Sequence, residues 1–216
     1  MSALVRLTGP AAPMLQPDIN TDSIAPMALA AGGSYPSHVR SKEELALRLF
    51  AHWRYRDDGG ENPDFILNKE PFRHAPILIA GPNFACGSSR ETAAQMLDAF
   101  GIRCVIAPSF GLIFHDNCFR NHMLPLVLDW ATVQRLGMQA QGGEDFELDL
   151  QACTLTAPDG EVTSFTLPAF RREMLLQGAD ELTLTLQRDA EISAYQQRSR
   201  QDRPWELGME PGPRPG

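Results

Sequence analysis

A closely spaced pair of cysteines is what this chain most clearly lacks. Its four cysteines, Cys86, Cys104, Cys118 and Cys153, are far apart and irregular, with no C-x-x-C among them. That spacing argues against a zinc or iron–sulfur site built by this chain alone. It fits free thiols in a reducing cytoplasm. A metal cofactor could still arrive on a partner. No run of about 18 apolar residues occurs, so no segment reads as a membrane span. Residues 1–14 are broken by Gly9, Pro10 and Pro13 and do not read as a signal peptide. Basic residues are also short: 19 Lys and Arg stand against 27 Asp and Glu, a net charge of −8. A phosphate-binding surface needs clustered cations, so nucleic acid is excluded as the main partner. No internal repeat is visible. No Gly-Lys-Ser/Thr follows a glycine loop and no dinucleotide glycine spacing occurs, so neither nucleotide fingerprint is present.

What is there reads as an α/β chain. Residues 4–15 suggest an extended strand that turns into the polar cluster Asp18-Ile19-Asn20-Thr21-Asp22, whose side chains favour turns. Residues 27–40, rich in Ala, Gly, Ser and Pro, read as a mobile loop. Ser41 to Glu44 is a capping box that starts a helix. Residues 75–80, 104–107 and 124–128 are short apolar runs, as expected of strands buried on both faces. Helical spacing over 88–100 and 110–123 separates them, and Gly101 stands where a helix would end. This β–α–β–α–β order predicts a parallel sheet with right-handed crossovers. Residues 146–150 and 162–167 add a hairpin that turns at Asp159-Gly160. Residues 169–177 predict a helix ended by Gly178. Alternation over 182–186 predicts a strand, and 189–197 a terminal helix. The domain is expected to fill residues 1–197. The Pro- and Gly-rich residues 198–216 read as a disordered tail.

The chemistry concentrates in Gly81-Pro82-Asn83-Phe84-Ala85-Cys86-Gly87-Ser88-Ser89-Arg90-Glu91-Thr92, which joins a buried strand to a helix. Ligands bind at the carboxyl ends of parallel strands. A helix start offers free N–H groups and partial positive charge. Gly87 allows close backbone approach, and Arg90 can grip a carboxylate with two parallel hydrogen bonds. The segment suits a small carboxylic acid or a phosphate. It can equally be read as a plain capping box, Ser88 to Glu91, with only a structural role.

The run Asn83 to Glu91 resembles the N-F-G-C-G-S-S-R-E signature of isopropylmalate isomerase (3-isopropylmalate dehydratase) small subunits, within the aconitase swivel-domain superfamily. Other blocks match in the same order. Asp18 to Pro26 is similar to the family's N-x-D-T-D-x-I-I-P motif. Leu49 to Tyr55, Asn62 to Asn68, Val105 to Phe110, Met123 to Pro125, Phe170 to Arg172 and Leu184 to Leu186 follow. The resemblance implies a swivel-type domain with a parallel β-α-β core, an added hairpin and C-terminal helices. It implies half of a hydro-lyase that interconverts 2- and 3-isopropylmalate by dehydration and rehydration in leucine biosynthesis. The partner would be a large subunit that holds a [4Fe–4S] cluster whose open iron acts as a Lewis acid. This chain itself would bind no metal, and the assembly would be cytoplasmic.

By the same resemblance, Ser88 is the catalytic base and works as an alkoxide. Arg90 and Ser89 bind the dicarboxylate hydroxy-acid substrate, while Thr21, Asp22 and Gly87 shape the loop. The chain departs from the family pattern at Thr92, where a His is usual, at Ala85 in place of the second glycine, and at Asn20 in place of the first Asp of D-T-D. The region between Pro26 and Leu49 is longer than usual. Arg40 in it is either a further substrate-binding residue or a solvent-exposed loop residue. That region touches the variable part of the substrate, so a related hydro-lyase acting on a dimethylmalate, methylmalate or homoaconitate-type acid is the alternative enzyme. A non-catalytic carboxylate-binding module is the alternative from another class. His115 and His122 are expected on a helix surface or an interface, and Trp53 and Phe84 in packing.

Overall fold

The computed structural model describes residues 3–26, 41–87, 91–203 and 205. Among them seven strands form one sheet in the order β4-β3-β2-β1-β5-β6-β7. The long first strand β1 (Arg6–Met14) serves both halves. Its first residues pair antiparallel with β5 (Asp145–Asp149), from Arg6 opposite Asp149 to Pro10 opposite Asp145. Its last residues pair parallel with β2 (Ile77–Ala80), from Ala11 opposite Ile77 to Met14 opposite Ala80. β3 (Cys104–Ala107) and β4 (Leu124–Val127) extend the parallel half. β6 (Thr154–Thr156) and β7 (Val162–Ser164) extend the antiparallel half.

Period-two geometry explains why the parallel strands are apolar throughout. Alternate residues point to opposite faces, and both faces are covered. Ala12, Leu78, Ala80, Val105 and Ala107 pack with Ala93, Ala94, Met96 and Leu97 of α4 (Glu91–Phe100). Ala11, Ile77, Ile79, Cys104 and Ile106 pack on the other side with Val133, Leu136 and Ala140 of α6 (Trp130–Ala140). Burying each Ile or Leu contributes roughly 1.5–3 kcal/mol, so these two layers hold the parallel half together.

α1 (Thr21–Ile24) is a single turn capped by Asn20. In α2 (Lys42–Arg48) the Ser41 hydroxyl accepts from the Glu44 N–H at 3.2 Å, as its capping box predicts. Arg54, the last residue of α3 (Ala51–Arg54), is buried. Its guanidinium donates to the Ala46 carbonyl at 2.8 Å and to Asn68 at 3.3 Å, and lies 4.9 Å from the Phe100 ring centroid. It thereby ties α2 to the end of α4. Desolvation lowers its pKa, but a guanidinium keeps its charge in proteins.

The remaining boundaries show what short-range pattern missed. α5 covers Leu112–Arg120 rather than 110–123: Phe110 bridges to Phe84, and His122 takes φ +54°. His122 is buried instead of lying on a helix surface. β6 falls between the two stretches, 146–150 and 162–167, expected to pair directly as a hairpin, because the antiparallel half folds as a three-strand meander. α7 (Ala169–Gln177) ends at Gly178, which is left-handed as a C-cap requires.

Of the described residues, 179–203 and 205 belong to a second compact unit. Residues 182–186, expected as a strand, lie in the helix α8 (Glu181–Leu186). Asp180 accepts from the Thr183 N–H at 2.7 Å, and the Thr185 hydroxyl donates to the Glu181 carbonyl at 2.7 Å. These local bonds cap one turn without needing a neighbouring strand. α9 (Asp189–Asp202) runs beyond residue 197, where the ordered domain was expected to end.

Candidate functional site

Loops that follow β1, β2 and β3 meet at the carboxyl end of the parallel sheet. The central one, residues 81–87, is held from both sides. On one side the Asp18 N–H donates to the Pro82 carbonyl at 2.9 Å, the Ala85 N–H to Ile19 at 2.6 Å and the Thr21 N–H to Cys86 at 2.9 Å. The Asn83 side-chain amide adds a bond to the Asp18 carboxylate at 2.7 Å. On the other side the Phe84 N–H donates to the Ser109 carbonyl at 3.0 Å, and the Gly111 N–H to the Phe84 carbonyl at 2.8 Å. The Ser109 hydroxyl accepts from the Asn83 N–H at 2.8 Å.

This bonding holds the loop in an uncommon backbone. Asp18, Asn83 and Ala85 all take left-handed φ values, 57°, 58° and 57°, and Gly87 takes +97°. Such a conformation costs a non-glycine residue roughly 1–2 kcal/mol. Strain of this kind persists only where surrounding contacts over-determine it, and it clusters at functional sites. Two glycines make the close approach possible. A Cβ on Gly81 would stand 2.3 Å from the Gln16 carbonyl oxygen, and one on Gly111 would stand 2.3 Å from that of Ala85.

Underneath, Phe84 is fully buried among Phe110 and Phe114 at centroid distances of 6.3 and 5.5 Å. Its packing role matches the expectation. Trp53 stacks on Phe50 at 5.4 Å, and it also lines a groove of about 600 Å³ with Leu15, Gln16, His52, Asn62 and Asp64. His115 lies 5.3 Å from the Phe119 ring, and burial lowers its pKa.

Of the residues named from the sequence, Thr21, Asp22 and Gly87 are described. Thr21 is buried on α1, and a Cβ at Gly87 would lie 3.6 Å from its hydroxyl. Asp22, next along α1, is exposed. Ser88, Ser89, Arg90 and Arg40 lie outside the described residues, as does the loop 27–40. Gly87 is placed and α4 begins at Glu91, so three residues join the strained loop to the helix. Sequence reasoning did not single out Ser109, Gly111 or the Asp18–Asn83 pair. Their roles come from hydrogen bonds across 26 and 65 positions, made by side chains, which no local spacing reveals.

Among the described residues no group of three or more His, Cys, Asp or Glu side chains is placed to hold a metal ion. Cys104 and Cys118 are buried in the core, and burial pushes both thiols well above their ordinary pKa. No helix among the described residues is long and apolar enough to cross a membrane.

Residues 36–131, which span the central loop, match the aconitase C-terminal domain. Residues 183–208 match the C-terminal domain of the 3-isopropylmalate dehydratase small subunit. The 3-isopropylmalate dehydratase small subunit of Rhodospirillum centenum is 44% identical over 210 residues, covering 96% of this chain and 100% of that protein. Its counterpart from Mesorhizobium japonicum is 42% identical over 207 residues, covering 95% and 100%. The crystal structure of 3-isopropylmalate dehydratase (leuD) from Methanocaldococcus jannaschii shares the fold, with a TM-score of 0.62 at 23% identity over 88% of this chain and 99% of that one.

Proposed function

The chain belongs to the 3-isopropylmalate dehydratase small subunit family, and on that premise we propose that it supplies one side of a hydro-lyase active site that interconverts 2- and 3-isopropylmalate in leucine biosynthesis. The other side belongs to a large subunit, and the cytoplasm is its place of work. The described residues offer no ligand set for a cluster. By the family likeness we assign the [4Fe–4S] cluster to the large subunit, where it would supply Lewis-acid help to a departing hydroxyl.

The work of this chain falls on residues 88–90. Ser88 removes the proton from the substrate carbon, and the hydroxyl leaves the neighbouring carbon to give an unsaturated acid. Ser88 then returns its proton to the carbon that lost the hydroxyl while hydroxide adds to the other carbon, which regenerates the alkoxide and completes the isomerisation. A serine is a poor base on its own. The start of α4, with free N–H groups and the positive end of the helix dipole, lowers the cost of an alkoxide there. Arg90 grips a substrate carboxylate and Ser89 adds hydrogen bonds. Arg40 is a candidate for a second substrate contact. Thr21, Asp22 and Gly87 keep the loop in shape.

The observation that carries this proposal is the double hold on residues 81–87 at the carboxyl end of the sheet, the loop that immediately precedes residue 88 in the chain. Mixing this protein with a cluster-loaded large subunit and 3-isopropylmalate tests it. The expected result is a rise in ultraviolet absorbance from the unsaturated acid, absent with either subunit alone. No absorbance change in the mixture would overturn the proposal.

A further inference from the structure

Asp18 and Asn83 close a ring between the loop after β1 and the loop after β2. The Asp18 N–H donates to the Pro82 carbonyl at 2.9 Å, and the Asp18 carboxylate accepts from the Asn83 side-chain amide at 2.7 Å. A second grip holds the same residue from the loop after β3, where the Ser109 hydroxyl accepts from the Asn83 N–H at 2.8 Å. Asn83 is thus bonded to both neighbouring loops, through its side chain on one side and its backbone on the other.

Stability of the fold does not account for this ring. Asp18 and Asn83 are both exposed, where water competes for each bond and the net gain is small. Both also take left-handed φ values, 57° and 58°, which cost a non-glycine residue energy. Two bonds between the same pair of loops fix orientation as well as distance, since a single bond would leave the loop free to pivot. The residue types suit that task. Asn and Asp enter the left-handed region more readily than other side-chain-bearing residues, and an amide–carboxylate bond is stronger than a neutral one. Exposed backbone that is strained and yet held at several points is the pattern of a functional loop.

We propose that Asp18 is a positioning residue for the reaction: acting through Asn83, it holds residues 81–87 in the conformation that turnover requires. This rests on the function proposed above and deepens it.

The test is a donor–acceptor swap in the whole chain, assayed with the cluster-loaded large subunit and 3-isopropylmalate. Asn83→Asp sets two carboxylates against each other. Asp18→Gly removes the acceptor and keeps a residue at ease with left-handed backbone. The double variant Asp18→Asn/Asn83→Asp reverses the bond, so that residue 18 donates and residue 83 accepts, with both residue types still suited to their φ values. The expected result is a kcat roughly tenfold lower in each single variant, with KM within about twofold and the same complex by sedimentation, and a kcat within about threefold of native in the double variant. A contact that only stabilised the fold would lower the thermal midpoint and leave the kcat of the folded protein alone. Native kcat in both single variants would therefore overturn the inference while leaving the function intact. A double variant no better than Asn83→Asp would also overturn it, because the side chains and not their bond would then matter. If Asn83→Asp does not fold, native kcat in Asp18→Gly is enough to overturn it. If the unsubstituted chain and the large subunit give no turnover, the functional proposal falls and this inference with it.

Discussion

Gly111 and Ala85 are so close that a methyl group on the former would stand 2.3 Å from the carbonyl oxygen of the latter. The contact is backbone against backbone, so no side chain can rotate away to relieve it. Gly111→Ala must therefore push the two loops apart, breaking the Gly111–Phe84 bond of 2.8 Å. Overpacking of this kind costs about 1–3 kcal/mol. For a chain of this size that lowers Tm by about 2–4 °C per kcal/mol. Thermal unfolding should show the loss, and turnover with the large subunit should fall more than stability predicts, because residues 81–87 lead into the site. Unchanged Tm and turnover would show that the loops are not held as described.

The parallel half was legible because burial on both faces writes itself into sequence as uninterrupted apolar runs. Residues 75–80, 104–107 and 124–128 could be read that way, and β2, β3 and β4 fall inside them. β6 and β7 are only three residues long and partly exposed, so β6 was hidden in what looked like a turn. Residues 182–186 misled because five residues of alternation cannot be told from one capped helical turn. The loop itself could be located from its glycines and polar residues, but its bonding partners could not. Ala85 is informative here. Its φ of +57° explains why a glycine suits that position, and why alanine in its place must be held by the bond to Ile19.

Ser88→Ala removes the proposed base without altering Gly87 or α4. A positioned acid–base group typically contributes about 10²–10⁴-fold, so kcat should drop by that factor while sedimentation shows the same complex with the large subunit. Arg90→Lys keeps the charge but loses the two-pronged grip, and should raise KM for isopropylmalate more than it lowers kcat. Turnover near the native rate in Ser88→Ala would remove serine from the proton transfer.

The cysteines should divide by burial. Cys104 and Cys118 are fully enclosed, and desolvation disfavours their thiolates. Cys86 and Cys153 are partly exposed. Thiol titration of the native protein should therefore label Cys86 and Cys153 only, and all four after denaturation, with mass spectrometry of peptides assigning the sites. Modification of Cys104 under native conditions would mean that the layer between β3 and α6 opens readily.

His115 gives the stability of the fold a predictable dependence on pH. Its imidazole lies between the Phe110 and Phe119 rings, at 6.0 and 5.3 Å. Burial is the main cause of its lowered pKa, with Arg171 adding to it and Asp116 opposing. The folded state thus binds this proton more weakly than the unfolded chain does. Above the unfolded value of about 6.5 both states are neutral and the group has no effect on stability. As pH falls through that value the unfolded chain takes up the proton first, and stability declines until the lower folded pKa is reached. His115→Gln removes that proton uptake and should flatten the decline between about pH 7.5 and 5.5. Any packing lost with the ring offsets stability equally at both ends. Urea unfolding of the native protein and the variant at the two pH values measures the difference. An equal decline in both would assign the acid sensitivity to other groups.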